Sequence, residues 1–486
     1  MNENIWTELP FGYFKDLTRI PRASGEEGDV LEWISKVIAT QRLMIEDDKV
    51  GNMLITLPAS SRYVKQKVTT LQAHVDMKCV GKDGNFGPEG FPLKLKVDGD
   101  WISADGTTLG ADNGMGVAAM IAIANDTTLK RGPINLLFTV QEETGLHGAS
   151  KLGLDIDSEY LINLDGNRFG ECYIGCAGSF RASMVFDTAP LFKSPFMHRI
   201  EKDVYSSWKI RVGGLQGGHS GFDILGRSNA IRKLAGFFNS LKMRLSDLNY
   251  FLAEINGGDE DNSIPTWAEA TCIFNRSAEE IKHHLLEVAA YAEEVMKRNE
   301  PAVNVKLIEV DKPSMVISSN ESQTIMSALL TLPPTLIELL QCSSSPKTSL
   351  NVGTVKTAEG RITVRLMGRS SSAQSLQDLK STLIRTDPFP FVNVTIESEN
   401  PPWEPQNDTE LLRIAEGTYE ELTGRRLGIG IVHAGLESAY IGGHDMQKIS
   451  IGPTIEAEHS INERVSISSV RGFYSHLKAI LEEISS

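Results

Sequence analysis

Four apolar runs in this chain stop on charged or metal-ligating side chains, and that pattern organises the reading. Ile134 to Phe138 leads through Thr139 and Val140 into Glu142 and Glu143, then to Gly145. Such a run predicts a buried strand that delivers charge at its carboxyl end. Neighbouring side chains on an extended segment point to opposite faces, so Glu142 and Glu143 serve one site only if the strand ends there and the chain turns. Lys67 to Leu71 runs into Ala73-His74-Val75-Asp76, where His74 and Asp76, two apart, share a face. Tyr160 to Leu164 ends on Asp165-Gly166, and Ile449 to Ile451 leads through Gly452-Pro453 to Glu456, Glu458 and His459. Thr107 to Gly116 is a polar, glycine-rich loop around Asp112, followed by a helix over Val117 to Ala124. Its glycine spacing matches no nucleotide fingerprint. An acidic residue at that place is also an ordinary helix cap.

Other elements follow from the same periodicities. Ser24-Gly25-Glu26-Glu27 reads as a capping box, and Val30, Trp33, Ile34, Val37 and Ile38 repeat at helical spacing, so the first helix is expected to begin close to Ser24. Asn52 to Leu57 is strand-like. From about Arg181 to Asn400, amphipathic strands (Trp208 to Val212, Ala270 to Phe274, Val303 to Ile308, Ile362 to Leu366) alternate with helical stretches (Asn229 to Leu241, Ser277 to Arg298). That change of character predicts an inserted α+β domain. Two segments in it, Asn262-Ser263-Ile264-Pro265 running to Arg276 and Asn351-Val352-Gly353 running to Arg369, hint at internal duplication. The fold class expected is α/β: a mostly parallel sheet flanked by helices over residues 1–185 and 399–486, interrupted by an insert over 186–398. In open α/β sheets, ligands gather outside the carboxyl ends of the strands, where the charged groups above converge.

Composition narrows the function classes. A chain of 486 residues exceeds what one core normally serves. A net charge of −15 argues against nucleic acid and anionic membrane as partners. Met1 to Leu9 lacks the basic start and apolar core of a signal peptide, and no apolar run approaches the ~18 residues of a membrane span. Five scattered cysteines (Cys79, Cys172, Cys176, Cys272, Cys342) favour a reducing compartment, so a cytoplasmic location is expected. Cys172 and Cys176, without a second pair, read as buried thiols.

The chemistry permitted is that of metal-activated hydrolysis. His74, His459, Asp112, Asp165 and Glu143 form a borderline-hard donor set suited to zinc, with manganese or cobalt also compatible. Five ligands exceed one tetrahedral site, whereas two divalent ions sharing one carboxylate would use them all. Such a pair lowers the pKa of a shared water and polarises a carbonyl. Glu142, left over, could then take the proton and hand it to a leaving amine. Asp76 could orient the His74 imidazole.

The motifs AHVDM, GADNG, QEETG, LINLDG and GPTIEAEHSINERV, in that order, resemble the co-catalytic metallopeptidases that include carboxypeptidase G, peptidase T and the carnosinases. Within that group, FKDLTRIPRASGEE, GGHSGFDI, SLNVG and HAGLE resemble the aminoacyl-histidine dipeptidases, and the likeness spans nearly the whole chain. The resemblance implies a di-zinc exopeptidase-like catalytic domain with an inserted lid, and a homodimer is the expected assembly. It implies His74, Asp112 and Asp165 on one ion and Asp112, Glu143 and His459 on the other, with Asp112 bridging and a cis Asp112–Asn113 peptide. Glu142 would be the general base and Asp76 the residue that orients His74. His219 would stabilise the oxyanion. Arg369 and Asn351 would receive the substrate's carboxylate and backbone, with Asn262 and Arg276 as the competing pair. His433 and Glu437 would lie near the free amine. The implied activity is hydrolysis of Xaa-His and related unblocked, carnosine-like dipeptides. The alternatives are an N-acyl amino acid deacylase or tripeptidase of the same group, or a silent binding protein, which would be expected to lose Glu142 or Asp76. Departures from the pattern occur at Phe222-Asp223 and at Ser438.

Overall fold

Strands buried on both faces set the frame. Thr69–His74, Ile134–Thr139 and Tyr160–Asn163 are buried at every position, as expected of parallel strands covered by helices on either side. The computed structural model describes residues 3–38, 43–60, 63, 66–188, 205–340, 345–385, 392–443 and 445–486. These strands run parallel, and Gln447–Ser450 joins them parallel to Tyr160–Asn163. Among the described residues this sheet has eight strands, in the order Met44–Asp47, Met53–Leu57, Ile134–Thr139, Thr69–His74, Tyr160–Asn163, Gln447–Ser450, Glu171–Cys176, Gly428–Val432. Its first two strands pair antiparallel, so the sheet is mixed with a parallel centre. His74 pairs with Thr139, so these two strands end level with each other.

Helices cover this sheet for reasons visible in their residues. Ala111–Asn125 is apolar almost all round and correspondingly buried. Gly28–Ile38, Glu410–Thr423 and Ile467–Ile484 each bury one stripe against the same core, which includes Val30, Ile34, Phe138, Leu411, Phe473 and Leu477. The first α-helix is Phe11–Leu17, and the next begins at Gly28 rather than near Ser24. Ser24 caps no helix because its hydroxyl donates to Asp76 Oδ2 at 2.7 Å.

The chain divides into two compact units, Met1–Cys176 with Trp403–Ser486, and Ala177–Pro402. The boundaries lie at 176/177 and 402/403, not 185/186 and 398/399. Gly178–Asp187 forms full antiparallel ladders with Arg361–Ser370 and Val392–Asn400, which ties it to the second unit. Among the described residues that unit holds a nine-stranded antiparallel sheet with helices Ala230–Arg244, Ala278–Met296, Ser319–Thr331 and Ala373–Arg385. Phe237, Phe238, Leu285 and Leu329 from three of these helices share one core with Trp208, Ile210, Phe274 and Leu366 from the sheet. Ser277 and Glu280 form a capping box at the second helix. Asn229 caps the first, accepting from the N–H groups of Ile231 and Arg232, while its amide donates to Val352 O at 2.9 Å. The described cysteines, Cys79, Cys172, Cys176 and Cys272, are free and buried, and Cys342 lies outside the described residues. Among the described residues, no helix is long and apolar enough to cross a membrane.

Asn229 therefore satisfies buried backbone groups on a helix and on a strand at once. Asn229→Ala is expected to lower stability by about 2 kcal/mol, read as a lower urea midpoint. A midpoint unchanged within error would contradict this account.

Candidate metal centre

The strand ends and loops of the first unit bring five ligand-type side chains together. Thr69–His74 ends on His74 itself, whose Nε2 lies 3.1 Å from Asp112 Oδ1 and 3.5 Å from Asp165 Oδ1. His459 Nε2 lies 3.1 Å from Asp112 Oδ2 and 3.0 Å from Glu143 Oε1. The two oxygens of Asp112 thus face two different imidazoles. Among the described residues, His74/Asp112/Asp165 and Asp112/Glu143/His459 are the groups whose donor atoms converge in this way. The Asp112–Asn113 peptide is cis.

The strand ending at Thr139 explains how adjacent glutamates serve one place. Gln141 takes φ +53°, so the chain turns just before Glu142. The Asp76 carboxylate secures the turn, accepting the N–H of Glu142 on Oδ1 and of Glu143 on Oδ2, both at 3.1 Å. His74 Nδ1 lies 3.2 Å from the Asp76 carbonyl oxygen and 3.4 Å from its carboxylate. A proton on Nδ1 therefore has acceptors, so in the neutral ring the lone pair belongs to Nε2. His459 itself sits at φ +59°, a left-handed conformation that costs energy in a residue other than glycine and persists where surroundings enforce it.

Charge in this place is unbalanced. Burial disfavours a charged His74, yet its hydrogen bonds to the carboxylates of Asp112, Asp165 and Asp76 outweigh it and hold its pKa well above the ordinary value. Burial likewise opposes protonation of His459, but Asp112 and Glu143 push it up to about 11. Burial lifts Asp165 to about 6 and, with Glu143, Asp165 and Glu437 adding to it, raises Glu142 well above the usual carboxylate range. For Asp112 burial is outweighed by the two imidazoles, which hold it far below that range. Glu143 Oε1 is buried, and the group it faces is the His459 imidazole, with Nε2 3.0 Å away. Donor atoms 3.0 to 3.5 Å apart also bracket the edge of ~3.3 Å that a tetrahedron with metal–ligand bonds of ~2.0 to 2.1 Å would have. The residues fit a pair of divalent ions bridged by Asp112.

Beside this centre lies a polar group inside the core. Glu437 is fully buried, and its carboxyl accepts from Gln72 Nε2 at 2.5 Å and Thr139 Oγ1 at 2.7 Å. Gln72 Oε1 accepts from Asn163 Nδ2 at 2.6 Å, and Asn163 Oδ1 accepts from Ser450 Oγ at 2.5 Å. Register places Gln72 beside Asn163 and Asn163 beside Ser450 on neighbouring strands. Burial pushes the Glu437 carboxyl up to about 8. His433 is buried just beyond the Gly428–Val432 strand. Sequence reasoning missed Gln72, Thr139, Asn163 and Ser450. Their signal was available as polar residues inside runs otherwise apolar enough for a strand buried on both faces.

The second unit assembles its own cluster. His219 follows Gly217 and Gly218, and a Cβ on Gly218 would come within 2.6 Å of the Asp223 carboxylate. Asp223 accepts the His219 N–H at 2.9 Å, and Phe222 lies tilted against the imidazole at 5.0 Å between ring centroids. The unexpected Phe222-Asp223 pair thus shapes the histidine's own loop. His219 Nδ1 faces the N–H groups of Gly221 and Phe222 at 3.2 and 3.3 Å, which makes it an acceptor and puts the proton of a neutral ring on Nε2. Arg369 Nη2 is 3.4 Å from that Nε2. Arg369 is buried, its Nε has no acceptor, and burial reinforced by Arg181 lowers its pKa to about 10. Asn351 spends its amide on the carbonyls of Asp261 and Ser263 at 3.1 and 2.7 Å, which holds the loop carrying half-buried Asn262 beside His219. Arg276 is paired with Asp247 beyond the far end of the Ala268–Phe274 strand. Asn262 precedes that strand, so Asn262 and Arg276 do not share a site.

Comparison with known proteins identifies the family. A family-wide sequence model described as Peptidase family M20/M25/M40 matches residues 70–483. The chain is 32% identical to the cytosol non-specific dipeptidase of Escherichia coli over 97% of this chain and 96% of that one. In structure it is similar to the aminoacylhistidine dipeptidase of Vibrio alginolyticus, with a TM-score of 0.86, 30% identity, and coverage of 99% and 98%. An M20 family metallo-carboxypeptidase from Sulfolobus solfataricus shares the fold at a TM-score of 0.50 and 14% identity, with each chain covered fully. With a match over most of its length, and with a relative of this identity covered nearly end to end, the chain belongs to peptidase family M20/M25/M40.

Proposed function

We propose that this protein is a cytosolic, homodimeric dipeptidase that hydrolyses unblocked dipeptides, Xaa-His among them, at a pair of zinc ions. The observation that carries the reading is Asp112, whose two oxygens each lie 3.1 Å from the Nε2 of a different histidine. The named activities of the Escherichia coli and Vibrio alginolyticus relatives support it. His74 and Asp165 would hold one ion with Asp112, and Glu143 and His459 the other. Bound there, the ions would supply a water of lowered pKa and a polarised scissile carbonyl.

The chain's own residues do the rest. Glu142 takes the proton from the attacking water and passes it to the leaving amine, a transfer suited to a carboxyl whose surroundings raise its proton affinity. Asp76 keeps Glu142 in place through its backbone N–H and holds His74 in the tautomer that leaves Nε2 to bind. From the second unit, we assign Nε2–H of His219 to the developing oxyanion and the Arg369 guanidinium to the substrate's carboxylate. Asn262 would accompany Arg369, with Asn351 setting its loop. The free amine falls to the His433–Glu437 segment, where the buried Glu437 carboxyl provides an acidic group for a cation to meet. An N-acyl deacylase would have no use for that group, which favours the dipeptidase.

Glu142→Gln is expected to keep two bound ions by metal analysis yet lose about 10² to 10⁴ in kcat. Turnover near that of the unaltered enzyme would remove Glu142 from the role of base. His219→Ala should lower kcat by about 10² to 10³ with metal content unchanged. A smaller loss, or a loss of metal, would reassign it. Substrate class is tested with a dipeptide panel that includes β-alanyl-histidine, using metal-stripped enzyme reloaded with zinc, manganese or cobalt. Acetylating the amine or amidating the carboxylate should reduce kcat/KM strongly, because a buried charged group is left unpaired. Equal cleavage of acetylated and free dipeptides would replace this reading with the deacylase.

A further inference from the structure

The mechanism above makes no use of two buried charged side chains beside the loop that carries Asp112. Arg22 is fully buried, and Glu463 is 2% exposed. Glu463 Oε2 accepts the N–H groups of Leu109 and Gly110 at 2.7 and 2.9 Å, and its Oε1 accepts those of Ala111 and Asp112 at 2.8 and 3.3 Å. One carboxylate thus gathers four successive backbone donors that end on Asp112. Arg22 takes the opposite polarity of the same loop, with Nη2 donating to Gly110 O at 2.5 Å. Its Nη1 donates to Val75 O at 2.9 Å and Asp76 O at 3.0 Å, immediately after His74. The loop is shaped around the guanidinium. A Cβ on Gly110 would lie 2.4 Å from Arg22 Nη2, and one on Gly114 2.8 Å from it. Gly110 also takes φ +66°, a conformation that favours glycine.

We infer that Arg22 and Glu463 are positioning residues that together set the place of Asp112 between His74 and His459. Arg22 joins the Asp112 loop to the segment that follows His74. Glu463 joins the same loop to the segment that follows His459, where Glu463 N–H donates to Ser460 O at 3.0 Å and Ser460 Oγ to Ala457 O at 2.7 Å. Charged groups suit this task because hydrogen bonds with one ionised partner are shorter and stronger than neutral ones, and four donors on one carboxylate leave it little freedom. A carboxylate that must serve two ions tolerates displacement poorly, since a move toward one opens the distance to the other. Each side chain therefore governs a different half of the centre: Glu463 the Asp112/Glu143/His459 half, and Arg22 the His74/Asp112/Asp165 half.

The inference rests on the two-ion reading, and its test separates the two. Metal-stripped protein is titrated calorimetrically with Co²⁺, and anomalous scattering from crystals at limiting Co²⁺ assigns each affinity to a site. The unaltered protein should take two ions; fewer would sink the two-ion reading itself. Glu463→Gln replaces two acceptor oxygens with one and an amide donor facing N–H groups. It should weaken the His459 site about 10- to 100-fold and leave the His74 site within about 3-fold. Arg22→Lys keeps the charge but not the fork, and should reverse that selectivity. Should Glu463→Gln fail to fold by circular dichroism, Glu463→Asp poses the same question with the charge retained. A lowered melting temperature with both affinities unchanged, or an equal loss at both sites, would overturn the positioning role while leaving the two-ion reading intact.

Discussion

One carboxylate shared by two imidazoles is the constraint on which the first unit depends. Asp112 can face His74 and His459 at once only if a loop, a strand end and a distant turn meet within a few ångströms. Like charges resist that meeting, because Asp165 and Glu142 lie close to Asp112 and Glu143, and burial disfavours ionisation of the first two. Only cations relieve the crowding. The raised proton affinity of His74 and His459 is the same demand expressed with protons.

The architecture answers this demand with backbone geometry. Parallel strands in register end level with each other, so His74 and the turn after Thr139 arrive side by side. Left-handed residues at Gln141 and His459 then redirect the chain within a single residue. Asp76 and Ser24 show how little is left to chance in such a place, since one carboxylate takes a hydroxyl and two backbone N–H groups and also flanks an imidazole. The row from Ser450 through Asn163 and Gln72 to Glu437 continues the theme into the core, where each residue in the row is hydrogen-bonded to the next.

The second unit solves a smaller version of the problem. Arg369 is kept buried with an Nε that meets no acceptor, next to a histidine whose loop fixes its tautomer. Asn351 is consumed in shaping that loop, and Asn262 is what the loop presents. A guanidinium held in this condition is under-satisfied, and a carboxylate is the partner its geometry suits.

Much of this was legible in the sequence because strand ends carry their own signature. Apolar runs ending on His74, Glu142, Asp165 and His459 mark where a parallel sheet would collect charge, and the helix caps at Asn229 and Ser277 follow from local chemistry alone. The pairing of Gly178–Asp187 was not legible, since an amphipathic strand fits either of two neighbouring sheets and only its ladders decide. Nor was Ser24, whose hydroxyl suits a helix cap as well as it suits Asp76. The resemblance offered Arg369 with Arg276 as its competitor, and the far end of a strand removes Arg276 from the cluster that keeps Arg369. Arg22 and Glu463 stand in the motifs FKDLTRIPRASGEE and GPTIEAEHSINERV with no role assigned to them, and only the fold shows that both are buried against the Asp112 loop. Local periodicity and residue chemistry are properties of short segments and can be read from the chain. Which buried group meets which partner depends on contacts between segments hundreds of residues apart, and only the tertiary structure decides those.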